Sequence, residues 1–200
     1  MTLDDLRRTR QVTFSSGGWG VTATDPLPTR YDLRELPDGF ALRGPGRTEV
    51  ARFHRTDFDQ RFGEHWSVWT PENVHLGDVQ RAGPRDTFAL FSPAGEPMAW
   101  CGPQASLEQL RTPLPDAEGS VGTAVWSLLR LELRVDFASG YEGSAFDDLT
   151  IADPQLTALT TATRKRKHFG LGNDYNLDLS GLPDVVDKAL VLAVIAYESR

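Results

Sequence analysis

The feature that most constrains this fold is a nine-residue apolar run near the carboxy terminus, Ala189 to Tyr197 (ALVLAVIAY), in a chain whose other segments are repeatedly interrupted by charge. Pro183 stands where a first-turn proline is tolerated, and Asp184 and Asp187 place negative charge near a helix's positive end, so a helix is predicted over Asp184 to Glu198. From Ala189 onward that helix has no polar face and must be enclosed by protein or by lipid. At about 1.5 Å per residue it is roughly 22 Å long, whereas a bilayer span needs about 20 apolar residues, so length disfavours lipid. The amino-terminal stretch Met1 to Ser16 is broken by Asp4, Asp5, Arg7, Arg8 and Arg10 and holds no secretory apolar core, which predicts a cytoplasmic protein.

Most of the remaining chain has a two-residue period. In Leu129 to Phe137 (LRLELRVDF) the odd positions are apolar and the even ones charged, the pattern of a strand with one face in solvent. Tyr31 to Leu36 and Phe40 to Arg43 flank the turn Pro37-Asp38-Gly39 and predict a hairpin. Strands are also predicted over Thr48 to Arg55, His65 to Thr70, Asp86 to Ser92, Pro97 to Trp100, Leu156 to Thr163 and Tyr175 to Leu179, with a short helix within residues 3 to 11. Gly102 to Gly119 and Ser139 to Asp148, dense in Pro, Gly, Ser and acids, are expected as loops. Many short strands with one enclosed helix imply an all-β fold, a closed antiparallel barrel around a hydrophobic C-terminal helix. A length of 200 residues predicts a single domain, placed at 29–200, with 1–28 as a mobile extension. The lone cysteine, Cys101, excludes an internal disulfide and favours a reducing compartment. With 28 acidic against 21 basic residues the net charge is −7, which excludes a general nucleic-acid binder.

The stretch from Arg164-Lys165-Arg166-Lys167 through Tyr175-Asn176-Leu177-Asp178-Leu179 to Asp187-Lys188-Ala189 and the apolar run resembles the end of the tubby-like superfamily, most closely the LURP-one-related and phospholipid-scramblase-related proteins. Asp86 to Trp100 (DTFALFSPAGEPMAW) is similar to that family's strand, glycine turn, strand units. The resemblance implies a barrel wrapped around its terminal helix, and by analogy with the phosphoinositide-binding tubby proteins a basic surface for phosphate. The cysteine-rich cluster and proline-rich tail of the scramblases are missing from this sequence.

The densest charge cluster is Arg164, Lys165, Arg166, Lys167 and His168. Four adjacent cations repel one another unless anions are near, so a hairpin tip here is the best candidate for anionic phospholipid headgroups or phosphorylated ligands at a membrane surface; the plainer reading is a solvated tip balanced by carboxylates. Asp174, Asn176 and Asp178 share one strand face and offer oxygen ligands for calcium, in the neighbourhood of the calcium segment proposed for scramblases. Leu179 and Val185, however, occupy the Gly and Glu positions of an EF-hand loop. His54, His65 and His75 have no metal-site spacing, Cys101 has no evident activating base, and the pair Asp147-Asp148 has no visible catalytic partner. Trp66 and Trp69 fall on opposite strand faces, so one is expected in the core. The function expected is therefore a non-enzymatic binding module, with a scramblase-like lipid mover and a protein-interaction scaffold as alternatives.

Overall fold

The computed structural model describes residues 2–15, 20–25, 29–57, 65–81, 87–111, 148–166 and 173–198. The chain opens with helix α1 (Leu3–Arg8) and strands β1 (Gln11–Ser15), β2 (Gly20–Asp25), β3 (Thr29–Leu36), β4 (Gly39–Arg43), β5 (Glu49–Asp57), β6 (His65–Trp69), β7 (His75–Arg81), β8 (Phe88–Phe91) and β9 (Pro97–Pro103). Helix α2 (Gln104–Leu110) follows, then β10 (Leu149–Ala152), β11 (Ala158–Arg166), β12 (Asn173–Asp178) and helix α3 (Lys188–Glu198). The protein is all-β in class. Each strand pairs antiparallel with its neighbours in sequence, and β1 pairs with both β2 and β12, so the strands form a closed barrel. Successive connections therefore alternate between two ends. The lower end carries α1 and residues 44–48, 70–74, 92–96, 153–157 and 179–187; the upper end carries the β3–β4 turn, α2 and the β11–β12 connection.

Helix α3 is the core of the barrel. Seven consecutive residues, Ala189 to Ile195, are at most 8% exposed and share one cluster with inward side chains of the strands, among them Phe14, Tyr31, Phe40, Phe53, Val68, Phe88 and Tyr175. A helix with no polar face is stable here because the ring supplies apolar neighbours on every side, and each large aliphatic so buried contributes about 1.5–3 kcal/mol. The dimensions agree: eleven residues at about 1.5 Å rise give roughly 16 Å, close to the height of a five- or six-residue strand at about 3.3 Å per residue.

The helix begins four residues later than predicted. Asp187, not the segment from Asp184, is its N-cap, with Oδ1 accepting the Ala189 N–H at 3.0 Å. Its other oxygen, Oδ2, accepts from Arg7 Nη2 at 2.8 Å and Nε at 3.0 Å. Lys188 Nζ donates to the carbonyl of Arg7 at 2.6 Å and to that of Thr9. These contacts dock α1 over the lower mouth, where Leu6 is fully buried in the core.

Residues 1–28 are accordingly not an extension of the domain. They supply α1 and two barrel strands, and β1 is the strand that closes the ring. Gly102 to Gly119 also differs from expectation, since Gly102 and Pro103 end β9 and Gln104–Leu110 is α2. Leu107 and Leu110 cover the outer side chains Ala89, Phe91, Trp100 and Ala152, so β8, β9 and β10 are buried on both faces. The predicted strand Leu129 to Phe137 and the loop residues 139–147 lie outside the described residues.

Two glycines are set by close approach. A Cβ on Gly39 would stand 1.8 Å from the Phe53 carbonyl oxygen. On β7, Gly77 has φ 141°, and a Cβ there would lie 2.3 Å from the Phe91 carbonyl oxygen and 3.1 Å from Leu190 Cδ1 on α3. Gly77→Ala is therefore expected to cost about 1–3 kcal/mol in urea unfolding, through backbone strain and displacement of α3. Asp187→Ala is expected to cost about 1–2 kcal/mol by loss of the cap and of the Arg7 contact, with Asp187→Asn costing less because Asn also caps helices.

Candidate functional site

Strand pairing brings the basic run to the upper end of the barrel. Arg164 stands opposite Tyr175, Lys165 opposite Asp174, and Arg166 opposite Asn173, so 167–172 connect two antiparallel strands. Ala162 points into the core and is fully buried, and Arg164, two residues on, is half-buried on the same side of β11. The Arg164 N–H donates to Asp148 Oδ1 at 2.7 Å, which occupies one member of the Asp147-Asp148 pair. Lys167 and His168 lie outside the described residues, as do the side chains of Lys165 and Arg166 and the whole of Asp147.

The three proposed calcium ligands share the outer face of β12 but do not converge. Asp174 and Asp178 are four residues apart on an extended strand, about 13 Å at about 3.3 Å per residue, too far to hold one ion. Asn176 Oδ1 accepts from Thr13 Oγ1 at 2.8 Å. Asp178 Oδ1 accepts from the Ser180 hydroxyl at 2.5 Å and the Ser180 N–H at 2.9 Å, and these bonds hold its carboxyl below the ordinary value of 3.8. The row is a hydrogen-bonded strand face that ends in a turn. Among the described residues no group of three or more His, Cys, Asp or Glu side chains is placed to hold a metal ion.

The histidines separate into two settings. His54 Nδ1 lies 2.9 Å from Asp38 Oδ2 at the β3–β4 turn. His65 and His75, ten residues apart in sequence, meet because β6 and β7 pair with Ser67 opposite Asp78. On the outer face of this pair Asp78 Oδ1 lies 3.3 Å from His65 Nε2 and 3.2 Å from His75 Nε2, and accepts from Ser67 Oγ at 2.5 Å. Trp69 stacks on the His75 ring with centroids 4.5 Å apart, while Trp66 lies in the core against Phe40. Burial opposes the charge on Asp78, but the hydrogen bonds from His65 and Ser67 and the two neighbouring imidazoles outweigh it and hold the carboxyl below 3.8. The serine bonds the carboxylate directly and not an imidazole, so this is not the relay of a serine nucleophile. Cys101 faces the core beside the helix and is fully buried.

Comparison with protein families, curated proteins and solved structures finds no match to this chain. Among the described residues no helix is long and apolar enough to cross a membrane.

The Asp78 cluster gives a pH prediction with a definite sign. A carboxyl whose folded pKa is depressed contributes stability above its unfolded value, and that contribution is lost as the pH falls through the folded value. Asp78→Asn is expected to lower stability by about 1–3 kcal/mol at pH 7, and the difference from wild type should shrink below about pH 3.8 when unfolding is followed against pH.

Proposed function

We propose that the protein is a non-enzymatic binding module on a tubby-like scaffold that engages anionic phospholipid headgroups, or phosphorylated ligands at a membrane surface, through the basic β11–β12 tip. The observation that carries this reading is the filled barrel: α3 occupies the axis with residues no more than 8% exposed from Ala189 to Ile195, so recognition falls to the outer surface and the loops. The register supports a role for the tip because it gathers Arg164, Lys165 and Arg166 at the end of one hairpin, with Lys167 and His168 in its connection. An anion there would relieve the repulsion among adjacent cations. Attachment would be peripheral and at the cytoplasmic face, and neither a metal nor another cofactor enters the reading.

Sedimentation with vesicles of phosphatidylcholine and anionic lipid tests it. Each basic residue near such a surface contributes about 1 kcal/mol, so replacing Arg164, Lys165, Arg166 and Lys167 by Ala should weaken binding by roughly two to three orders of magnitude, with binding also falling as salt rises. Unchanged sedimentation of the quadruple variant would remove the tip as the site.

A further inference from the structure

The lower end of the barrel holds a second concentration of positive charge, built from segments about 180 residues apart in sequence. A depression of about 750 Å³ lies between α1 and the segment leading into α3, and its charged lining is Arg7, Arg8, Arg10, Asp184, Asp187 and Lys188. Arg7 and Asp187 neutralise each other, and Asp187 is further committed to the helix cap. That leaves Arg8, Arg10 and Lys188 against Asp184, a local excess of two positive charges in a chain of net charge −7. Arg8 and Arg10 are exposed, and among the described residues neither guanidinium has a carboxylate within ion-pair distance. The Lys188 ammonium is partly withdrawn from water, which lowers its pKa; the charge of Asp184 opposes this and that of Arg10 adds to it.

Among the lining residues the cations thus outnumber the acids, and neither of the planar guanidinium forks of Arg8 and Arg10 forms an ion pair with a described residue, although the Arg8 charge acts on the Asp5 carboxyl one turn back. Such forks match phosphate oxygens in pairs. We propose that this depression is a binding site for a phosphate monoester or diphosphate group, held between Arg8 and Arg10 with Lys188 behind them. The site is independent of the basic β11–β12 tip and lies at the opposite end of the barrel. The same chemistry is offered by a free phosphate compound and by a phosphorylated lipid headgroup.

The test uses the full chain with two probes: inorganic pyrophosphate followed by titration calorimetry, and phosphatidylcholine vesicles containing a phosphatidylinositol phosphate followed by sedimentation. Binding of at least one probe is expected, with at least tenfold weaker affinity in Arg8→Gln/Arg10→Gln and a few-fold tighter affinity in Asp184→Asn. Binding of pyrophosphate alone identifies a free ligand, and dependence of vesicle binding on Arg8 and Arg10 identifies a headgroup. Thermal unfolding of each variant without ligand checks the fold, and the single change Arg8→Gln, expected to give a partial loss, serves if the double variant is unstable. The proposal is overturned if wild type binds neither probe, or if the folded Arg8 and Arg10 variants bind as tightly as wild type. Vesicle binding lost only on changing Arg164 to Lys167, together with pyrophosphate binding that is absent or indifferent to Arg8 and Arg10, would also overturn it, while leaving the tip reading intact.

Discussion

Desolvation of a helix that has no polar side is the constraint on which this structure rests. Seven residues of α3 in succession are hidden from solvent, and the strands must surround them on all sides for that burial to be favourable. A flat sheet would cover one side of such a helix and leave the other wet. Closure of the ring through β1, which pairs with β2 and β12, is therefore coupled to the burial of α3. The contacts at the lower mouth serve the same end, since Asp187 starts the helix and anchors Arg7 with its two oxygens, while Leu6 of α1 packs into the core.

Parts of this were legible in the sequence for a clear reason. Tyr31 to Leu36 is legible because one face of the strand meets the core and the other meets water, and burial alternates from Thr29 through Arg34 before the pattern ends at Glu35 and Leu36 beside the turn. Gly39 follows a Pro-Asp pair at a turn where the chain must pass close to Phe53. The apolar terminal run announced its own enclosure. The turn Pro93-Ala94-Gly95 makes β8 and β9 legible within Asp86 to Ser92 and Pro97 to Trp100, although both are buried on two faces; β10, four residues buried on both faces, offers too little contrast to read. Helix α2 is short and opens behind Pro103, within a stretch rich in loop-forming residues. Strands β1 and β2 are brief and joined through Gly17-Gly18, so their pattern has too few repeats to separate them from an extension.

Candidate sites were less legible than the fold because they depend on register and closure. Asp174, Asn176 and Asp178 share a face, as alternation requires, but extended geometry spreads them too widely for one ion. His65 and His75 carry no motif in sequence; the pairing of β6 with β7 places both beside Asp78. The basic tip is contiguous and visible in one dimension. The lower-end depression is not, since Arg8 and Arg10 approach Asp184 and Lys188 only after α1 docks on the start of α3. Both basic features lie toward barrel ends, Arg164 to Arg166 in the last pairs of the β11–β12 ladder and Arg8 and Arg10 beside the segment that leads into α3.

Native-state hydrogen exchange of the amides from Leu190 to Ile195 tests the enclosure of α3 most directly. Enclosure by the barrel predicts that these amides exchange only through global unfolding, with opening free energies equal to that from urea denaturation and among the highest in the protein. Exchange of this segment at markedly lower free energy, while the strands stay protected, would mean that the helix leaves an intact barrel and would contradict the account.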